Sequence, residues 1–328
     1  MLAFVLRRLF VAVPTVLAIM VTMFVLLQTL PGDPVQGLVG EYPAPPEYVE
    51  QIRHQFGLDQ PVLVQLGRYV ANLLSGDLGY SFAYQQPVTD LILQRALNSL
   101  LLLVPALVLS ALLGTALGAV AATRRGTAVD HTITTVTMVG FAVPAFWLAQ
   151  ILILVFGVGL GWFPVLGMRS LGSTADGIDD VLDVAAHWLL PGIAVSLYYL
   201  GMVARISRQS ILESSAEDYI LTAWSIGLPR RRILVRHILR NALIPVATVV
   251  GYNFGYAVTG AILVEAVFSW PGIGSLFVTS IQNRDYPVLE GVFLLTAVSV
   301  VVANLVTDVT YALIDPRVKA GDRIAAGK

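Results

Sequence analysis

The chain has 328 residues and no cysteine. That absence excludes a disulfide framework, a zinc–thiolate centre and a thiol nucleophile. Charge is scarce as well: Asp, Glu, Lys and Arg together make up 12% of the chain, where a soluble domain carries about 25%. Lysine occurs only at Lys319 and Lys328, against eighteen arginines, a bias that fits GC-rich codon usage. The net charge of −1 leaves no basic excess to neutralise phosphates, so no nucleic-acid partner is expected. No HExxH, no GxSxG and no paired carboxylates inside an apolar stretch are present to hydrolyse a substrate. GxxxxGK[ST] is absent too, so the chain has no loop to cradle nucleotide phosphates. It reads as a non-enzyme without a metal site or bound cofactor.

What the sequence does contain is apolar length. Hydrophobic residues make up 56% of the chain and the mean hydropathy is +0.77, more apolar surface than a soluble core of this size can hide. A bilayer core of roughly 30 Å takes about 20 apolar residues per helix. Stretches free of Asp, Glu, Lys and Arg run over 9–30, 96–123, 131–168, 184–204, 241–264 and 291–307, the last continuing past Asp308 to Ile314. The first opens behind Arg7 and Arg8 as a secretory signal would, but it is longer than a signal h-region and exits into Pro31-Gly-Asp-Pro34. It reads as an uncleaved span. The expectation is an all-α integral membrane protein with six transmembrane helices.

Basic residues set the orientation. With both termini cytoplasmic and the 131–168 stretch counted as one span, fifteen Arg and Lys fall inside; Arg53, Arg68, Arg95, Arg169 and Arg284 fall outside. Splitting that stretch into two spans would move the arginine-rich segment 205–240 outside, against the positive-inside bias. The outer segment 31–95 holds seven acids against three bases and is expected to fold as a cap of short helices. The Asp176, Asp179, Asp180 and Asp183 group reads as a solvated loop, with a cation site as the alternative. His187 reads as a solvated or interface histidine. The spans lack the midplane charge on which secondary transporters rely, so a pore here would draw its energy from elsewhere.

The inside segment 205–240 is the most specific part of the chain. Ser214 with Glu217, and Ser215 with Asp218, both fit a capping box opening a helix. Ala216, Ile220, Ala223, Trp224 and Gly227 recur at helical spacing as one apolar face. Gly227 suits a left-handed C-terminal cap, and Pro229 the first turn of a second helix. The product is a helix, a tight corner and another helix. An amphipathic hairpin lying on anionic lipid is the plain alternative.

This segment resembles the cytoplasmic EAA loop of bacterial ABC importer permeases. Leu221-Thr222-Ala223 stands at the first triplet, Gly227 at the glycine, and His237-Ile-Leu-Arg240 at the terminal pattern, without the family's first glutamate or final proline. The variant is similar to the dipeptide/oligopeptide subfamily, whose loops end His-x-Leu-Arg-Asn-x-Leu-x-Pro, matched by His237 to Pro245. Further landmarks follow in the family's order: Pro31-Gly-Asp-Pro34, Gly57-Leu-Asp-x-Pro61, Gly76-Asp-Leu-Gly79, Phe268-Ser-Trp-Pro-Gly-Ile-Gly274, Asn283-Arg-Asp-Tyr-Pro287 and the run from Asp308 to Arg317.

The resemblance implies a type I ABC importer permease, the first of two permease subunits. Its organisation would be an N-terminus and first helix over 1–30, an extracytoplasmic cap over 31–95, a five-helix transmembrane domain over 96–314 and a cytoplasmic tail over 315–328. Implied partners are a second homologous permease, two cytoplasmic ABC ATPases, an extracytoplasmic solute-binding protein and membrane lipid. ATP and magnesium would be held by those ATPases. Glu217, Asp218, Leu221, Thr222, Ala223, Gly227, Arg231, His237 and Arg240 are the implied ATPase-coupling residues, with the helix around Ala223 and Gly227 seated in a groove on an ATPase. Among the few polar groups in the spans, Tyr198, Tyr199, Tyr252, Asn253, Tyr256 and Asn304 are candidates for lining a path, or equally for packing helices. Peptide, glutathione and nickel remain open as cargo. A self-sufficient channel or membrane scaffold is the rival class.

Overall fold

A computed structural model describes residues 2–29, 45–55, 59–81, 83–172, 176–256 and 262–314. The Pro31–Pro34 landmark, the Gly57-Leu58 pair and the tail 315–328 lie outside these residues, as does the side chain of Tyr256.

Helices dominate. In chain order they are α1 (Leu2–Thr29), α2 (Pro46–Gln55), α3 (Val62–Leu74), α4 (Val88–Thr123), α5 (Ala128–Ala142), α6 (Ala145–Leu152, continued as a π-helical turn over Ile153–Gly159) and α7 (Ile178–Ser215). There follow α8 (Asp218–Ser225), α9 (Arg230–Arg232, continued as a π-helical turn over Ile233–Ile238), α10 (Leu239–Tyr256), α11 (Ile262–Val267), α12 (Ile273–Asn283) and α13 (Tyr286–Ile314). The all-helical expectation holds for the bulk of the described residues, with one short exception. β1 (Tyr80–Ser81) and β2 (Gln86–Pro87) pair antiparallel, Tyr80 opposite Pro87 and Ser81 opposite Gln86.

Among the described residues, Val88–Thr123, Ile178–Ser215 and Arg230–Asn253 are each long and apolar enough to cross a membrane. Shorter apolar helical stretches, Val13–Leu26 and Tyr286–Val302, lie within α1 and α13. The 131–168 stretch is not one straight helix: α5 and the α6 segment meet at 97°. The cause is local. Pro144 forbids its predecessor the helical region, and Val143 is extended, with ψ 127°. The α7 helix overruns its apolar stretch at both ends, since 38 residues make a rod of about 57 Å.

The chain divides into two units. One comprises residues up to Ser99, Ile262 and 271–302 among those described. Its core gathers Val88, Leu91, Ile92 and Ala96 of α4 with Ile273 and Leu276 of α12 and Val288 and Val292 of α13. Two landmark motifs meet here. The Ser81 hydroxyl donates to Asp285 Oδ2 at 2.5 Å, 204 residues along the chain, and a Cβ on Gly79 would lie 3.6 Å from Cβ of Pro287. Asp285 is buried, and that burial raises its carboxyl above the ordinary range, while the Ser81 hydroxyl and the backbone N–H groups of Val288 and Ala83 pull the other way. Asn98 Nδ2 donates to the Pro271 carbonyl at 2.8 Å, and Ile273 N–H to Ser99 Oγ at 2.8 Å. On α3, Tyr69 stacks on Phe24 of α1.

The other unit runs over residues 100–256 among those described, with 263–270 and 303–314. Its helices approach closely because small residues line the contacts. A Cβ on Gly118 of α4 would sit 2.6 Å from both the Ala204 carbonyl oxygen and the Ser207 Cβ of α7. Gly114, one turn earlier, faces Val203 in the same way. Between them and the start of the unit, the Ser110 hydroxyl lies 2.8 Å from the Ser196 carbonyl. Gly201 of α7 rests against the Thr137 carbonyl and Phe141 of α5.

The acidic group at the start of α7 divides: Asp176 and Asp179 are exposed, as a solvated loop would have them, while Asp180 and Asp183 form a clasp. Arg169 grips Asp180 through Nε and Nη2 at 2.6 and 3.0 Å, and Asp183 accepts from the Ser170 N–H and hydroxyl at 2.8 and 2.7 Å. His187 is buried, not solvated, with Nδ1 2.8 Å from the Asp183 carbonyl. No group of three or more metal-ligating side chains gathers among the described residues.

Candidate functional site: the 213–242 hairpin

The hairpin grows out of α7. Neither expected capping box forms, because α7 runs on through Ser214 and Ser215, and the Ser215 hydroxyl donates back to the Ile211 carbonyl at 2.6 Å. The chain breaks only at Ala216 and restarts with Glu217 as the N-cap of α8, its side chain making no capping bond. Asp218 then lies in the first turn, where its charge suits the helix dipole.

The corner after α8 matches the sequence reading. Gly227 is left-handed, φ +77°; its N–H donates to the Trp224 carbonyl at 3.0 Å, and the Leu228 N–H to the Ala223 carbonyl at 3.3 Å. These two bonds are the Schellman pair that closes a helix on a residue with positive φ. Leu228 packs on the same apolar cluster as Ala223, the contact that accompanies such a cap. Pro229 stands one residue outside the expected position, as N-cap of α9. The π-helical turn that follows places Ile233 and Ile238, five residues apart, in one cluster, a spacing that an α-helix would splay.

Beneath the hairpin that cluster joins Ile220 and Ala223 of α8, Ile211 of α7, Ala122 of α4, Ile233, Ile238 and Ala242. The apolar face predicted for α8 therefore divides. Ile220 and Ala223 point inward, 1% and 6% exposed, so the small Ala223 side chain serves contacts within the chain. Leu221, Trp224 and Ile226 point outward at 63%, 45% and 70%. Glu217, Asp218, Thr222, Gly227, Arg231 and Arg240 are also exposed, and His237 is half-buried. Arg230 stands over the Trp224 ring at 5.7 Å, and Asn241 donates to the Tyr219 hydroxyl at 2.7 Å, joining α8 to α10. The hairpin thus presents an apolar patch rimmed by charge on a packed base, an arrangement that fits a protein contact.

One ion pair near the hairpin base carries no sequence signal beyond an Asp at the edge of an apolar stretch. Arg208 on α7 donates through Nε and Nη2 to both oxygens of Asp130 at the start of α5, at 2.7 and 2.8 Å. The Gly126 N–H adds a bond of 3.0 Å and the Thr134 hydroxyl one of 3.4 Å. The Arg208 guanidinium is the main cause that holds the Asp130 carboxyl well below the usual carboxylate range.

The path candidates are partly brought together. Tyr198 stacks on Phe141 with ring centroids 5.1 Å apart, and Tyr199 meets Tyr198 edge-on at 5.2 Å. Asn253 of α10 donates to the Val249 carbonyl at 2.7 Å and reaches Met202 Sδ, one turn beyond Tyr198, at 3.5 Å. Tyr252 and Asn304 are exposed on α10 and α13.

Comparison with known proteins places this geometry. The family model of the binding-protein-dependent transport system inner membrane component matches residues 114–320, and that of the N-terminal part of such membrane components matches residues 1–102. The chain is similar to the di/tripeptide transport system permease protein DppB of Pseudomonas aeruginosa (strain UCBPP-PA14), 38% identical over 97% of this chain and 99% of that one. It is 37% identical to the dipeptide transport system permease protein DppB of Escherichia coli (strain K12), at the same coverage. It is also 37% identical to the glutathione transport system permease protein GsiC of Escherichia coli O6:H1 (strain CFT073), again over 97% of this chain and 99% of that one. A solved structure of the MetNI methionine ABC transporter in inward-facing conformations shares the fold, with TM-score 0.54 and 14% identity over 69% of this chain and 96% of that one.

Proposed function

The chain belongs to the binding-protein-dependent transport system inner membrane components, and from that premise we propose that it is the permease subunit through which a bacterial ABC importer moves di- or oligopeptides into the cytoplasm. Six spans, cytoplasmic termini and an extracytoplasmic cap over 31–95 complete the proposed topology. A second permease, two ATPases and a solute-binding protein complete the importer, and ATP with its magnesium is bound and hydrolysed in the ATPases.

The observation that carries the reading is the hairpin. Its outward Leu221, Trp224 and Ile226 form the surface on which an ATPase docks, and the cluster of Ile211, Ile220, Ile233 and Ile238 ties that surface to the long helices. Glu217, Asp218, Arg231 and Arg240 form its charged rim. Ala223 acts from below by holding α8 close to α7. Alternating access follows when closure of the ATPase pair moves the hairpin and the helices with it.

Cargo is proposed on full-length similarity to dipeptide permeases; equal identity to a glutathione permease favours glutathione as a second reading. Uptake of labelled dipeptide and labelled glutathione, measured in cells with and without the complete transporter, separates the two. Dipeptide uptake that appears only with the transporter, and is not displaced by excess glutathione, supports the first. Transporter-dependent uptake of glutathione with none of dipeptide sinks it.

A further inference from the structure

Asp130 and Arg208 lie 78 residues apart in sequence and meet through two parallel bonds of 2.7 and 2.8 Å. Asp130 is almost fully buried. A carboxylate placed there is unfavourable without a partner, and because the Arg208 side chain is 27% exposed the pair adds only modestly to stability. Stability alone is therefore a poor account of it, and its position suggests another role.

Arg208 stands one turn before Ile211, the α7 residue in the cluster under the hairpin. Its backbone also forms part of the wall against Gly118 of α4, whose Cβ would lie 2.9 Å from the Arg208 nitrogen. Asp130 sits in the first turn of α5, and its carboxylate also receives the Gly126 N–H from the α4–α5 turn. At its far end α5 is held to α7 by Gly201 against Thr137 and by Tyr198 on Phe141, just before the bend at Pro144. Ile211 joins α7 to the cluster under α8, and one turn back along α7 Arg208 bonds Asp130 at the start of α5.

We propose that Asp130 and Arg208 are positioning residues for energy coupling, clamping the α4–α5 turn and the start of α5 to the helix that carries the hairpin, so that hairpin, α7 and α5 move as one piece. This rests on the transport reading, deepens it, and gives the pair a role that buried-charge energetics alone does not. Breaking the clamp leaves the ATPase docked and hydrolysing while α5 no longer follows.

The test uses the complete transporter in proteoliposomes, with Asp130→Asn and Asp130→Glu variants. Asp130→Asn is expected to retain ATPase association and hydrolysis while cargo moved per ATP falls about tenfold, within the usual 5–150-fold span of a coupling free energy. Asp130→Glu, which keeps the charge, restores most of the ratio. An unchanged cargo-to-ATP ratio in Asp130→Asn overturns the proposal. A second readout does not depend on transport: in the cysteine-free chain, spin labels at Thr132→Cys and Gln209→Cys report the α5–α7 distance. The Asp130→Asn change should broaden that distance distribution; an unbroadened distribution contradicts the clamp even if the chain transports nothing.

Discussion

The Leu228 N–H donates 3.3 Å back to the Ala223 carbonyl, across a Gly227 held at φ +77°. That bond closes α8 and turns the chain toward α9, while Ile220 and Ala223 in the cluster below set which side of α8 faces outward. A Cβ added to Gly227 would meet nothing within 4 Å, so within this chain the need for glycine is one of backbone conformation alone.

Substitutions at Gly227 therefore separate two roles. Valine in a left-handed position costs roughly 1–2 kcal/mol and should distort the corner, lowering co-purification of the ATPase while membrane insertion persists. Asparagine tolerates that conformation. If Gly227→Asn binds the ATPase as the parent does, the requirement is the turn; if it fails as Gly227→Val does, the partner's backbone also lies against the corner. Normal coupled transport by Gly227→Val would remove the hairpin from the docking role.

Removing the hydroxyl in Ser81→Ala takes away a donor to the buried Asp285, which should cost about 1–3 kcal/mol. Burial already raises the Asp285 carboxyl, so its folded value lies above its unfolded one, and the stability it contributes is full below the unfolded value and lost as pH rises through the folded one. The Ser81 bond holds that carboxyl down, so removing it raises the carboxyl further and extends the loss to higher pH. Thermal melts in detergent should show a destabilisation of Ser81→Ala that is clear at neutral pH and shrinks toward acid. Hydrolysis in the ATPases should be unaffected.

The Asp130 carboxyl behaves oppositely. Arg208, Gly126 and Thr134 lower it, so its contribution is complete above the unfolded value of about 3.9 and is lost only as pH falls through a folded value below that. The difference in melting temperature between the parent and Asp130→Asn should stay constant from neutrality down through pH 5 and close only in stronger acid. A difference that already closes between pH 7 and 5 would show that the pair is not holding the carboxylate.

Orientation is read with an impermeant thiol reagent, since the chain has no cysteine of its own. Ala71→Cys on α3 should label in intact cells and Ala216→Cys at the hairpin should not; both residues are exposed. Labelling of Ala216→Cys from outside would invert the topology.

Local chemistry was legible in the sequence where it is decided locally. Gly227 followed by Pro229 is enough to write a helix stop and a restart; Gly227 stands where expected and Pro229 one residue earlier, as the N-cap of α9. The capping boxes at Ser214 and Ser215 did not form because α7 continues through both serines, and the Ser215 hydroxyl is bonded to the Ile211 carbonyl instead. The bend at Pro144 did have a signal in the residue that precedes it, but hydropathy runs straight through Val143-Pro144 and hides it. The two pairs that tie the units internally, Ser81 with Asp285 and Arg208 with Asp130, were not readable at all. Each joins residues far apart in sequence, and no periodicity or spacing marks a partner at that distance. The inward turn of Ala223 shares that cause, since helical spacing defines a face without saying what covers it.

The most direct test of the central claim measures uptake and hydrolysis together, in proteoliposomes holding this chain with its second permease and ATPases. ATP-dependent dipeptide uptake, stimulated along with hydrolysis by the loaded binding protein and abolished when ATP is withheld, is the result predicted. Uptake that continues through this chain with ATP, ATPases and binding protein all removed would contradict it.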